Sequence, residues 1–164
     1  MRDIARKRGF GVSESRPFRP LSVGGGWLID DQLFRFLVDF EIQKAQRLRY
    51  CVSLVCLAAE LASTEPHDPS TASLAETVTR YIRGTDAVVP WAPGSLALLL
   101  IDAESIDLPP ILRRLMARLG TIAWSAGGSC YPKTASRPDD LLRQAVDLMV
   151  RAKEEGGNRI YVGS

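Results

Sequence analysis

A chain of 164 residues with a single histidine, His67, has no multi-histidine metal centre, and no Ser/His/Asp or Cys/His arrangement stands out in it. Its three cysteines, Cys51, Cys56 and Cys130, are odd in number, and two lie in one apolar run. That argues against a disulfide framework and for a reducing cytoplasm. No apolar stretch reaches the roughly 18 to 20 residues that a membrane-spanning helix needs. The basic start, Met1 to Arg8, is not followed by the apolar segment of a signal peptide, so neither membrane insertion nor export is expected. Charge of one sign is scarce too: 21 Lys and Arg against 19 Asp and Glu leave a formal +2. This is too little for binding DNA over the whole surface, so any anionic ligand needs a local site. What the chain does have is 46% hydrophobic and 24% charged residues, the balance of one soluble globular domain.

Residues 1–26 combine Arg2, Arg6, Lys7, Arg8, Arg16 and Arg19 with Pro17, Pro20 and Gly24-Gly25-Gly26. Such a composition cannot bury a core; a flexible basic arm is expected there, followed by a domain over 27–164. The arm suits an acidic partner, or it is a solvated tail.

From Asp30 to Arg49, Leu33, Phe36, Leu37, Phe40, Ala45 and Leu48 recur mostly at three- and four-residue steps, which predicts an amphipathic helix. Val52 to Ala59 is a short apolar run expected of a central strand covered on both faces. Ser63 to Thr71, with Pro66 and Pro69, reads as a loop, and Ser73 with Glu76 as a capping box for a helix to about Arg83. Ala87 to Trp91 and Ser95 to Ile101 read as strands joined through Ala92-Pro93-Gly94 in a hairpin. Pro109-Pro110 suits the entry of a helix over Ile111 to Leu119, and Thr121 to Gly127 is a further strand. Ser136 and Asp139 are spaced as a second capping box for a helix to Glu155, with Gly156-Gly157 as a left-handed cap. Arg159 to Val162 is the last strand. The order predicts an α/β (α+β) domain with a central mixed sheet of about five strands, helices on its faces and a hairpin at its centre. Leu54, Val55, Leu57, Leu98, Leu99, Leu100, Leu142 and Leu148 are expected in one core.

Several segments then stand in a telling order. They are Glu41-Ile42-Gln43-Lys44-Ala45-Gln46-Arg47 before Ser53-Leu54-Val55, then Ser125-Ala126-Gly127, Pro138-Asp139-Asp140-Leu141-Leu142 and Ala152-Lys153-Glu154-Glu155-Gly156-Gly157-Asn158-Arg159. Together they resemble the GGDEF domain family of bacterial diguanylate cyclases over about residues 28–163, and the last segment is the most specific. The resemblance implies a fold related to nucleotide cyclases and polymerase palms, with a signature hairpin between two strands. That hairpin is degenerate here, reading Ala92-Pro93-Gly94-Ser95-Leu96 where the family has Gly-Gly-Asp/Glu-Glu-Phe. The family positions for metal coordination and catalysis fall on Gly94, Ser95 and, near the end of the first strand, Ala58.

Phosphoryl transfer of this kind needs hard cations held by carboxylate oxygens, which Ala, Gly and Ser do not supply. Glu60, two residues after Ala58 and on the same strand face, is either a rescue ligand or an ordinary surface glutamate. The family's guanine- and phosphate-binding segment has no counterpart in Leu61 to Thr71. Pro93 adds bulk where the family backbone approaches the nucleotide. Lys153 and Arg159 match positions near the family's triphosphate, or serve a helix C-terminal dipole.

The family's inhibitory site, an arginine and an aspartate separated by two residues, is intact as Arg83-Gly84-Thr85-Asp86, five residues before the hairpin remnant. A guanidinium can meet the O6/N7 edge of guanine, and a carboxylate can accept from its ring and amino N–H groups. The same two residues could instead form only an exposed ion pair. A further arginine often comes from the following helix; of Arg113, Arg114 and Arg118, Arg114 is taken as the candidate. Trp27, Trp91 and Trp124 are read as packing rather than base-stacking residues. The expectation is a catalytically inactive, metal-free and cofactor-free GGDEF-like domain that binds cyclic di-GMP through Arg83, Asp86 and Arg114 and relays the signal to a protein effector. Arg83→Ala and Asp86→Ala should each weaken binding and leave the fold intact. The alternative is an interaction module without nucleotide binding, and an active cyclase is third. The effector's identity and the oligomeric state stay open, a homodimer included.

Overall fold

A computed structural model of the chain describes residues 25–60, 71–120 and 122–164. Its elements are β1 (Trp27–Leu28), α1 (Asp31–Leu48), β2 (Val52–Ala59), α2 (Thr71–Thr79), β3 (Ala87–Ala92), β4 (Ser95–Ile101), α3 (Leu108–Arg118), β5 (Trp124–Tyr131), α4 (Pro138–Glu154) and β6 (Ile160–Val162). A 3-10 turn at Ser105–Asp107 leads into α3. The strands form one mixed sheet of six in the order β1-β3-β4-β2-β5-β6. The β1/β3 and β5/β6 pairs are parallel and the three between them antiparallel.

The sixth strand is the short β1, which no alternation announces. The hairpin lies to one side, and the middle of the sheet is the β4/β2 pair. Residues 1–24 of the expected arm lie outside the described residues. Of the rest, Gly26 is buried and its N–H donates to the Thr79 carbonyl at 2.8 Å.

Helix α1 starts where Asp30, in extended conformation, accepts the Leu33 N–H at 2.7 Å. It ends at Arg49 in the left-handed region. The face it buries is Phe34, Val38, Ile42 and Ala45, whereas Phe36, Phe40 and Leu48 of the expected apolar face are exposed. Two apolar stripes share this helix, and the sheet takes the one that carries the β-branched residues.

Other boundaries shift for local reasons. Ser73 lies inside α2, where its carbonyl accepts the Thr77 hydroxyl at 3.1 Å, and α2 ends at Thr79, short of Arg83. At α4 the residue before the helix is Arg137, with no side-chain cap, and Pro138 opens the first turn, so Ser136 and Asp139 form no capping box. Gly156 and Gly157 do take positive φ, 113° and 71°, as a C-terminal cap requires. Strand β5 runs from Trp124 to Tyr131, beyond the expected Gly127, because Ser125-Ala126-Gly127-Gly128-Ser129 carries little apolar alternation.

The sheet divides the interior in two, correcting the single core. Val55, Leu57, Leu98 and Leu100 pack with α2 and α3 on one face. Leu54 and Leu99 pack with α1 and α4 on the other, with Leu142 against them. Leu148 is half-buried and belongs to neither cluster. Strand alternation is the cause: residues 54 and 55 must face opposite sides. Gly127 lets α4 approach β5, since a β-carbon there would overlap the Ala145 carbonyl oxygen and the Met149 amide nitrogen. Gly127→Val should therefore cost at least about 1 to 3 kcal/mol in urea unfolding, the scale of core overpacking.

Burial pushes the Cys56 thiol up to about 12, which makes it an inert core residue, and all three cysteines are free. Among the described residues no helix is long and apolar enough to cross a membrane.

Candidate ligand-binding site

Beyond α2 the chain turns sharply, and the Asp86 N–H donates to the Arg83 carbonyl at 2.8 Å. The Trp27 indole N–H donates to the Gly84 carbonyl at 2.9 Å, tying β1 to this turn. Asp86 then feeds β3. Asp86 is 3% exposed and its carboxylate is doubly engaged: Oδ2 accepts the Arg83 N–H at 3.0 Å and Oδ1 accepts the Ile101 N–H at 2.9 Å. Arg83 Nη2 donates to the Ile101 carbonyl at 2.5 Å, and its Nε lies 3.5 Å from Asp86 Oδ2.

The register explains the arrangement. β3 pairs with β4 only as far as Ala87 opposite Leu99, so at Ile101 there is no strand partner on that side. The two side chains meet the Ile101 N–H and carbonyl in its place. The pair is thus neither a bare surface ion pair nor two free ligand-binding groups. Asp86 is structural at both oxygens, while the Arg83 side chain remains 60% exposed.

Arg83, Asp86 and Arg114 line one cavity of about 460 Å³, from the turn, the start of β3 and α3 respectively. Tyr81, Asp102 and Asp107 complete its polar wall, over an apolar floor that includes Leu100 and Ile111. Of the other two arginines of α3, Arg113 lines a separate cavity of about 600 Å³ beside Trp124 and Asn158, and Arg118 does not line this one, although its guanidinium sits 5.9 Å from the ring centre of Tyr81 in its wall. Sequence reasoning missed Tyr81, Asp102 and Asp107. The available signal was position: Asp102 follows directly on the apolar run of β4, at the end of the hairpin where Arg83 lies.

At the opposite end of the hairpin are the positions that the resemblance assigns to metal and catalysis. Ala58 stands opposite Ser95 across β2 and β4, and the Ala59 N–H donates to the Gly94 carbonyl at 2.8 Å. Pro93-Gly94 forms the turn, Gly94 with φ 73° and its N–H donating to Thr71 Oγ1 at 2.9 Å. Geometry has brought the positions together; the carboxylates are missing. Glu60 leans the other way, its Oε1 2.7 Å from where a β-carbon on Gly157 would stand. One glutamate and one serine hydroxyl do not fit a pair of hard cations. Among the described residues no group of three or more His, Cys, Asp or Glu could hold a metal ion. Lys153 and Arg159 are exposed. His67 and residues 63–70 of the expected loop lie outside the described residues, while Thr71 opens α2. Of the tryptophans, Trp124 is fully buried and Trp91 lies 5.2 Å beneath the Arg35 guanidinium.

No protein-family model and no curated protein matches the sequence. Solved structures do. The GGDEF domain of YfiN (TpbB) from Pseudomonas aeruginosa matches with a TM-score of 0.76 at 17% identity, over 84% of this chain and 97% of that one. The GGDEF domain of DgcB from Caulobacter crescentus, in complex with c-di-GMP, matches at 0.71 and 14% identity, over 88% of this chain and 93% of that one. The diguanylate cyclase SiaD from Pseudomonas aeruginosa, in complex with its activator SiaC, matches at 0.72 and 17% identity, over 92% of this chain and 63% of that one. Identities this low speak for architecture alone, and the architecture, a mixed sheet with helices on both faces, is that of a GGDEF domain.

Proposed function

We propose that this chain is a catalytically inactive GGDEF-like domain that receives cyclic di-GMP and relays its presence to a protein effector. One observation carries the reading: Arg83 and Asp86, from the turn between α2 and β3, and Arg114, from α3, converge on a single cavity. Its volume of about 460 Å³ lies within the usual range of small-molecule sites. Arg83 supplies a guanidinium for a base edge or phosphate, Arg114 a second cation from α3, and Asp86 holds the turn from which Arg83 projects. The DgcB domain of like fold was solved with c-di-GMP bound, and SiaD with a protein activator, which supports both a nucleotide ligand and a protein partner. The donor set at Ala58, Gly94 and Ser95, which offers no metal-binding carboxylate, supports the inactive reading.

The test is calorimetric titration with cyclic di-GMP, beside incubation with GTP and Mg²⁺ or Mn²⁺ followed by product chromatography. The parent should bind, and Arg83→Ala should weaken binding by about 1 to 3 kcal/mol, roughly fivefold to 150-fold. The arginine contribution should shrink as salt rises. No cyclic di-GMP should form from GTP. Product formation by pure protein would end the inactive reading, and absence of binding at high ligand concentration would end the receptor reading.

A second reading, an interaction module without nucleotide binding, is favoured by a different feature. Phe36 and Phe40 stack at 5.8 Å on the outer face of α1 and are both exposed. Exposed aromatic clusters of this kind are common protein contacts.

A further inference from the structure

We propose that the carboxylate reading the guanine edge in this cavity belongs to Asp102, while Asp86 only holds the wall. This rests on the cyclic di-GMP reading above and identifies the residue that sets its base selectivity. Both Asp86 oxygens accept backbone N–H groups, from Arg83 and Ile101, and its side chain is almost completely buried. Turning it toward a ligand would abandon two buried donors. Asp107 is also committed, one oxygen accepting the Glu104 N–H at 3.1 Å. Asp102 is different: it is exposed, lines the same cavity, and its carboxylate makes no hydrogen bond or ion pair among the described residues.

Its position is nonetheless well defined. The backbone at Asp102 has φ 54°, the left-handed region that aspartate and asparagine tolerate better than other side chains, and its N–H donates to the Cys51 carbonyl at 2.8 Å. The preceding residue, Ile101, is the one whose carbonyl accepts Arg83 Nη2. A guanidinium and an unpaired carboxylate therefore flank one point on the cavity rim. Guanine matches that juxtaposition, with O6 and N7 accepting from the arginine and N1–H and N2–H donating to the carboxylate. Adenine offers no such pair of donors, so Asp102 selects cyclic di-GMP over cyclic di-AMP.

Asp102→Asn keeps the left-handed backbone but replaces two acceptors by one acceptor and one donor; Asp102→Gly keeps the backbone and removes the group. Both variants and the parent are titrated with cyclic di-GMP and cyclic di-AMP by calorimetry, alongside thermal melts that include Asp86→Asn. The expected result is a rise in the cyclic di-GMP Kd of roughly tenfold or more, a smaller change for cyclic di-AMP, and a Tm near the parent's. If the parent binds cyclic di-GMP and neither Asp102 variant changes its affinity or its selectivity, the assignment is overturned and the receptor reading stands. A Tm loss as large as that of Asp86→Asn would also overturn it, by marking Asp102 as structural. If the parent binds neither dinucleotide, the receptor reading falls and takes this assignment with it.

Discussion

Replacing Asp86 by alanine should destabilise the domain by roughly 3 to 5 kcal/mol, a large share of the 5 to 15 kcal/mol typical of whole proteins. The substitution strips the acceptor from two backbone N–H groups, those of Arg83 and Ile101, at a place where water has little access. It also leaves the Arg83 guanidinium without its carboxylate neighbour, although at 60% exposure that contact adds little. Asp86→Asn should recover part of the loss, because the amide oxygen can still accept one of the two N–H groups. Arg83→Ala should cost less than about 1 kcal/mol, since the Ile101 carbonyl it uncovers can turn to solvent. Urea unfolding followed by tryptophan fluorescence measures all three. An Asp86→Ala protein as stable as the parent would show that the carboxylate does not close the end of the sheet.

Such a loss differs from what the sequence alone leads one to expect of the two residues. From sequence alone Arg83 is expected to contribute more to binding and Asp86 to govern guanine selectivity, with the fold intact without either. In the structure the burden is uneven: Arg83 is the accessible group and Asp86 the buried one. A loss of ligand binding in Asp86→Ala would therefore report a displaced turn as much as a missing contact, so the Arg83 and Asp102 variants are the cleaner probes of the cavity.

Leu99→Ala should cost about 2 to 5 kcal/mol. Leu99 is 2% exposed at the centre of β4, opposite Leu54 in β2 and Ala87 in β3, among the residues that α1 and α4 cover. Truncation removes apolar burial and leaves a space that these close-packed elements can only partly fill. Leu148→Ala should cost less, because that side chain is half-buried and outside both clusters. Exposed Lys153→Ala should stay within about 0.5 kcal/mol of the parent. Chemical denaturation curves with an unchanged slope would assign these differences to stability rather than to the unfolded chain. Equal costs at Leu99 and Leu148 would mean that the two-layer division of the core is wrong.

The amino-acid sequence by itself determined the elements whose signals are local. Helix α1, strand β2 and the β3/β4 hairpin follow from apolar periodicity, from one short apolar run and from the Ala92-Pro93-Gly94 turn, none of which needs a distant residue. That Ala58, Gly94 and Ser95 carry no carboxylate was legible in the same way. Only tertiary structure decided the rest. Which stripe of α1 is buried depends on the sheet it meets, and Phe34 and Val38 are chosen over Phe36 and Phe40 by that contact. The length of β5 was hidden because its small residues exist to admit the α4 backbone at Gly127. The placement of two nearby aspartates goes with a register: β3 stops pairing at Ala87 opposite Leu99, which leaves Ile101 to be met by Asp86, and Asp102, the next residue, lines the cavity. Sequence spacing could mark Asp86 as an acceptor, but what it accepts from is set by a strand end fifteen residues away along the chain.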